Sequence, residues 1–444
     1  MKQRRGYGWG IGLMVGLGLL GWAPGAAAAE KNDKETLFHL EAPVPQTGLD
    51  FHGAVHLDFM GFEPTEKNLP GAGAQENTFY VRRARVVLAG VLYEKLTFFI
   101  QSGLESTDTL LMDAIIIYSP ASWLDFRAGQ MKMPFSAERL ESYLINPFVE
   151  RSLAANLELR RSRGVAMALH PGQGGVRLDL GWFNGENMAK PNTDDHFEGV
   201  ARGTVRLEKL LPSFPGSFSL AGAYARGRRQ PDSAPTTPTT SFTGKTQNEL
   251  NFFSPINVNG YRTRYEADLS WTYKPLWIAA EWITSEEERE GVAVDLDTDG
   301  DGVKEWTATR RHLKPLKEQG WKASVVYVLT GEAYKPRLQP QHKWGALELC
   351  LRYSMVSFDS QEDKILDGNT LGREVSAAST ALGRRGVDEA VRSADAELNW
   401  FLKPGFWIGL DTTWQWFDHS DPYLPNSPGA HYDVNYRGRV GMAF

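Results

Sequence analysis

The amino-acid sequence predicts an all-β fold, a sixteen-stranded antiparallel transmembrane β-barrel with short periplasmic turns and long extracellular loops. Three observations predict it. Apolar and polar residues alternate with period two in one segment after another, which puts one face of each strand against an apolar medium and the other against water. The connections between these segments alternate between short and long, as in a barrel threaded into a membrane from one side. Beyond the N-terminus no apolar run approaches the roughly 18 residues that a membrane helix needs.

The first 29 of the 444 residues read as an export address. Lys2, Arg4 and Arg5 precede a short apolar core at 11–20, and Ala27 and Ala29 stand at the −3 and −1 positions of an Ala-x-Ala cleavage site. The expected division is therefore a cleaved signal peptide at 1–29, a periplasmic N-terminal segment at 30–48 and an outer-membrane barrel at 49–444. A single cysteine excludes a disulfide framework and a cysteine-based metal site. A net charge of −6 argues against nucleic acid as a partner.

The last segment is the clearest. Tyr432, Val434, Tyr436, Val440, Met442 and Phe444 alternate with Asp433, Asn435, Arg437 and Arg439. This strand with a terminal Phe resembles the C-terminal strand by which outer-membrane barrels are presented to the barrel-assembly machinery. The same alternation predicts strands near 49–60, 78–92, 94–105, 111–118, 122–130, 163–170, 175–184, 197–209, 216–226, 262–274, 275–285, 318–329, 344–354, 393–403, 405–417 and 431–444. Short turns rich in Pro and Gly join alternate pairs, at Pro120-Ala121, Pro212–Pro215, Lys274-Pro275 and Pro404-Gly405. Tryptophans near strand ends, among them Trp123, Trp182, Trp277, Trp344, Trp400, Trp407 and Trp416, suit interfacial girdles.

The stretch 79–163 carries an ordered string of motifs: Phe79-Tyr-Val-Arg-Arg-Ala-Arg85, Asp113-Ala-Ile-Ile-Ile-Tyr118, Gly129-Gln-Met-Lys-Met-Pro-Phe-Ser136, Val149-Glu-Arg-Ser152 and Arg161-Ser-Arg-Gly-Val165. This order resembles the phosphate-selective porin O and P family. The resemblance implies a homotrimeric outer-membrane channel for small anions, phosphate or polyphosphate in the named members. It also implies that the third long loop, here 131–162, folds into the lumen and narrows it. By motif position, basic side chains for the solute would be Arg82, Arg83 and Arg85 on the early strand, with Lys132 and Arg139 on the loop.

Physical chemistry points the same way. Arginine presents a planar donor fork that matches phosphate oxygens, and rings of Arg or Lys in a pore favour anions. Arg83 with Arg85, Arg202 with Arg206, and Arg262 with Arg264 each share a strand face. The expected permeation path therefore comprises Arg83, Arg85, Lys132, Arg139, Arg202, Arg206, Arg262 and Arg264. Inward-facing carboxylates match inward cations in number, so anion preference would require local segregation of charge. A weakly selective or cation-tolerant general porin is the alternative.

Asp295, Asp297, Asp299 and Asp301 alternate with a turn glycine, a pattern of structural calcium loops and equally of a solvated acidic loop. No other cofactor is expected than Ca2+ in this 295–305 loop. Residues 373–395 have helical spacing and suggest a surface helix. No Gly-x-Ser-x-Gly, His-Glu-x-x-His or P-loop occurs. An outer-membrane hydrolase or a secreted binding protein is the reading of another class, and passive diffusion of small hydrophilic solutes is the function expected. The partners expected are small anions, outer-membrane lipid and further copies of the chain.

Overall fold

The computed structural model describes residues 38–41, 48–62, 77–105, 110–143, 146–185, 192, 195–229, 241–242, 244–247, 256–257, 260–288, 293–296, 306–309, 315–336, 338–359, 388–418 and 432–444. The leader at 1–29 and the aspartates at 297–301 lie outside them. Asp295 is on a short strand, Ala293–Leu296, whose side chains are likewise outside the description.

All sixteen alternating segments form strands. They are β1 (Gly48–Phe62), β2 (Thr78–Leu92), β3 (Leu96–Gly103), β4 (Leu111–Ala121), β5 (Leu124–Lys132), β6 (Arg161–Leu169), β7 (Val176–Phe183) and β8 (Glu198–Arg206). The second half adds β9 (Ser217–Arg229), β10 (Gly260–Tyr273), β11 (Leu276–Glu287), β12 (Leu316–Val328), β13 (Ala346–Asp359), β14 (Asp388–Lys403), β15 (Phe406–Phe417) and β16 (Tyr432–Ala443). Each pairs antiparallel with its sequence neighbours, and β16 pairs with β1 to close the barrel. Closure satisfies every strand edge, which a sheet in lipid requires. At the seam Asp58 faces Arg439 in register, and their side chains pair at 2.6 Å. Phe444 continues the seam by exchanging backbone bonds with Gly53. Its ring lies where a Cβ on Gly53 would fall, 2.4 Å away, so a side chain at residue 53 would displace the Phe444 ring from this seat.

Burial runs opposite to that of a water-soluble core. On β10, Arg262, Arg264, Glu266 and Asp268 are buried, whereas Tyr261, Tyr265 and Leu269 are exposed. Leu57, Val81, Ile116, Val165, Leu220, Leu351 and Leu410 are exposed on other strands. An apolar belt outside and a polar lining inside is the arrangement lipid selects. Two expectations need correction. Residues 388–395 form the first half of β14 rather than part of a helix, because cross-strand pairing to β13 over Asp359–Arg352 decides between two periodicities that this segment leaves open; residues 373–387 lie outside the described residues. Trp277 and Trp407 leave the girdle and point inward. Trp277 stacks on Tyr334 at 5.6 Å, and Trp407 meets the His56 ring edge-on at 5.2 Å.

Candidate functional site: the charged lumen

Between β5 and β6 the chain enters the barrel. Its short helix Ala137–Leu140 is capped by Ser136, whose side chain accepts from the Arg139 amide, and a single 3-10 turn follows at Leu153–Asn156. Contacts with the far wall show how deeply the segment is inserted. The Glu138 amide donates to Glu281 on β11, the Val149 amide to Glu397 on β14, and the Leu153 amide to Ser354 on β13. Asn399 on β14 donates to the Pro147 carbonyl at 2.8 Å.

The anchor of this segment is a buried ionic cluster. The Glu138 carboxylate accepts from the amide and hydroxyl of Ser152, lies 3.1 Å from Lys322 Nζ and 3.4 Å from Arg352 Nη1. Glu281 shares the same lysine at 3.3 Å, and Arg352 also holds Asp395 at 2.9 Å. Glu138, Glu158 and Glu281 bring carboxylate oxygens within 4.8 Å of one another. Lys322 bridges Glu138 and Glu281, Arg352 also contacts Glu138, and Arg139 pairs with Glu158, so each of the three carboxylates has a cation beside it.

Two apolar cores surround this anchor. One joins Phe135, Leu153, Leu157 and Leu159 of the inserted segment to Phe183, Ile283, Leu316, Phe358, Val391 and Phe417, all on inward positions of the wall. The other lies toward the short turns, where Phe148 packs with Trp277, Val326, Val328, Tyr334, Leu338 and Cys350. Tyr334 and Leu338 belong to the connection between β12 and β13, which therefore also folds inward. Nothing in its sequence beyond its extra length announced this. Together the two cores fill the lumen beside β11–β13 above and below the ionic cluster.

Charge is unevenly divided around the wall. Among the described residues, β10–β15 bury Glu266, Asp268, Glu281, Glu287, Glu318, Glu348, Asp395, Glu397 and Asp411 against Arg262, Arg264, Lys322 and Arg352. The opposite wall and the adjoining face of the inserted segment carry most of the cations, among them Arg83, Arg85, Arg127, Lys132, Arg151 and Arg161, beside the buried Asp58, Asp113, Asp179 and Glu198. A β-bulge opposite His56 and Leu57 makes Arg82 the extra residue of β2. Alternation alone would send Arg82 to the lipid, yet it bonds Glu150 of the inserted segment at 2.8 Å. Arg83 lies 4.0 Å from the same carboxylate and 3.4 Å from His56 Nδ1. Against the cost of burial, Arg82 and Arg83 hold the Glu150 carboxyl well below the usual carboxylate range. Arg85 pairs with Glu105 and lies over the Tyr143 ring at 4.9 Å.

A cavity lies between the inserted segment and β3–β7, bordered by Lys132, Tyr143, Gln101, Asp113, Arg127 and Asp179. Lys132 Nζ donates to the Leu140 and Glu141 carbonyls at 3.2 and 2.8 Å. Arg161 pairs with Asp113 at 2.9 Å, and Arg139 with Glu158 at 2.8 Å. Among the described residues, Lys132 and Arg151 have no carboxylate within ion-pair distance. Burial, then the neighbouring Arg139, lowers the Arg151 guanidinium to about 10. Lys132, held by carbonyl oxygens rather than by a carboxylate, keeps its charge beside Arg151 and makes this face electropositive.

Of the residues expected on the path, Arg83, Arg85, Lys132 and Arg139 are thus brought to one side of the lumen. Arg202 is bound by Glu266 at 2.6 Å and by Asp268 and the Phe135 carbonyl. Arg262 pairs with Glu198 at 3.0 Å, and both it and Arg264 lie 3.8 Å from Glu287. Arg206 sits at the short-turn end, its amide bonded to the Gly175 carbonyl. Arg151, Arg161 and Tyr143 are the additional members. Their signal in the sequence was only membership of the inserted segment and its edge.

The profile of the phosphate-selective porin O and P family matches residues 50–377. No curated protein matches the chain in sequence. Among solved structures, the anion-selective porin of Comamonas acidovorans is similar with a TM-score of 0.53 at 10% identity, covering 90% of this chain and 100% of that one. The outer-membrane protein OmpT of Vibrio cholerae, folded in vitro, gives 0.52 at 10% identity, with 92% and 100% covered. Its trimer form gives 0.51 at 9% identity, with 90% and 99% covered. These similarities carry the barrel fold, while the matched profile spans most of the chain. The chain belongs to the phosphate-selective porin O and P family and is an outer-membrane porin.

Proposed function

We propose that this porin passes small anions of the phosphate class along the β2–β7 side of its lumen. The observation that carries the reading is the one-sided division of charge. The carboxylate-rich wall is occupied by the inserted segment and its two apolar cores, whereas the remaining cavity is bordered by Lys132 and Arg127 beside Asp113 and Asp179, and by Tyr143, over whose ring Arg85 lies. An anion there exchanges hydration for guanidinium and ammonium donors. Arg83, Arg85, Lys132 and Arg139 are the expected contacts of the solute, and Arg206 lies at the short-turn exit. Arg202, Arg262 and Arg264 are held in carboxylate clusters and serve to fix the wall. Transport is passive diffusion, with no catalytic step.

The leader at 1–29 is proposed to be removed on export, and insertion to proceed through the barrel-assembly machinery reading the strand that ends in Phe444. Assembly as a homotrimer is supported by the wall β3–β6, whose strands have 8 to 11 residues and expose large apolar side chains. A calcium ion at Asp295, Asp297, Asp299 and Asp301 is a proposal from the sequence alone. The test of selectivity is a planar bilayer under a KCl gradient with phosphate as competitor. The expected result is an anion-favouring reversal potential and a current that phosphate reduces. A cation-favouring sign would leave a porin without the anion path.

A further inference from the structure

The lipid-facing surface at the long-loop end of β8–β10 carries two arginines that the lumen does not use. On β9, Arg226 and Arg228 alternate with the buried Ala225 and with Gly227, so both project outward. In register, Arg228 faces Tyr261 and Arg226 faces Thr263 on β10. Their guanidinium carbons lie 4.4 and 6.0 Å from the centre of the Tyr261 ring, Arg226 the nearer. Arg228 also approaches His196 Nε2 at 3.3 Å.

Two other outward cations at this end are matched by carboxylates. Arg392 is bonded to Asp418, and Lys317 stands in register between Glu286 and Asp359. Among the described residues, Arg226 and Arg228 have no carboxylate within ion-pair distance, and Arg228 Nε has no hydrogen-bond partner. Two guanidinium groups stacked on one ring and left without an anion form a preorganised receptor for a phosphate, whose oxygens match the donor fork. Aromatic pairs flank the site, Tyr224 with Tyr265 at 5.3 Å and Trp182 with Phe197 at 5.9 Å. Such belts sit at headgroup depth.

The surface beneath the arginines suits the rest of such a molecule. Arg226 is paired across β8 with Gly199 and Gly222 with Gly203, so small residues line the floor of a trough. A Cβ on Gly203 would meet nothing within 4 Å, and one on Gly222 would meet only the Glu266 carbonyl at 3.5 Å. Exposed Leu180 and Trp182 on β7 and Leu220 and Tyr224 on β9 form its walls. We infer that Arg226 and Arg228 bind the phosphorylated headgroup of one membrane lipid, with an acyl chain lying along β8. This inference needs the barrel to lie in a membrane and is independent of the anion path inside it.

The test uses the folded full-length porin in detergent, with lipid retention read by native mass spectrometry. Three probes separate the sources of binding: dioleoyl phosphatidic acid, dioleoylglycerol without the phosphate, and inorganic phosphate without the chains. The expected result is retention of phosphatidic acid at least about tenfold above dioleoylglycerol, abolished in R226A/R228A, preserved in K317A and unaffected by equimolar phosphate. R226K/R228K, which keeps the charge but loses the fork, is expected to fall between. Bilayer conductance of each variant verifies the barrel. Equal retention by wild type and R226A/R228A, or equal retention of dioleoylglycerol, would overturn the site. Displacement of the lipid by inorganic phosphate would overturn its assignment to a lipid.

Discussion

Replacing Glu138 by alanine tests whether the inserted segment is held by its ionic anchor. The carboxylate is 2% exposed and is contacted by Ser152 at 2.6 and 2.9 Å, Lys322 at 3.1 Å and Arg352 at 3.4 Å. Removing one partner of a buried ion pair costs about 3–5 kcal/mol when the other charge is left bare. Here Lys322 keeps Glu281 and Arg352 keeps Asp395, which places the loss at the lower end, about 3 kcal/mol. That corresponds to a factor of roughly 10² in the ratio of docked to undocked segment. The wall itself is untouched, because its strands are paired by backbone bonds and closed at the seam. In planar bilayers E138A should therefore open larger, noisier channels while heat-modifiable gel mobility remains that of a folded barrel. E138Q, which keeps an acceptor for Ser152, should fall between. A trace of wild-type amplitude and noise from E138A would refute the idea that this cluster positions the segment.

Charge, pH and backbone geometry supply further expectations. Lys132→Met should shift the reversal potential under a KCl gradient toward cations, since Lys132 borders the cavity without a carboxylate partner; Lys317→Met on the outer surface should leave it unchanged. Burial pushes the Glu141 carboxyl of the inserted segment up to about 7, with Glu138 adding to the shift and Lys322 opposing it. It is neutral at pH 5.5 and acquires its negative charge as pH rises through 7. Anion preference should therefore weaken between pH 5.5 and 8, and E141Q should remove that component of the pH profile. Gly129 has φ +128, and a Cβ there would fall 2.0 Å from the Ala114 carbonyl oxygen. Gly129→Ala should destabilise the β4–β5 pairing by at least about 1–3 kcal/mol, read as a lower temperature of barrel unfolding in a gel-mobility assay.

The strands were legible because a wall between oil and water must repeat every two residues, so each crossing writes its own signature. β2 shows the limit of that rule: it correctly sends Arg83 and Arg85 inward, yet it cannot foresee the bulge that turns Arg82 toward Glu150. β14 shows another, since its first half could satisfy either a helical or an extended spacing until β13 was beside it. The candidate site was readable as a set of residue types and as a resemblance, but not as a division. Arg202 and Lys132 look equivalent as inward cations in the sequence. Three bonds to Glu266, Asp268 and Phe135 commit the first to the wall, while carbonyl contacts leave the second with charge to offer.

By itself the sequence determined that the chain alternates, how often it crosses and, bulges such as that at Arg82 aside, which side chains face in. Those are local properties, carried by neighbours one or two positions apart. Only the tertiary structure decided which half of the lumen is filled, because that depends on a segment after β5 reaching β11, β13 and β14, more than a hundred residues away along the chain. Pairing of buried charges is a matter of a few ångströms, and distances of that kind exist only once the sheet has closed.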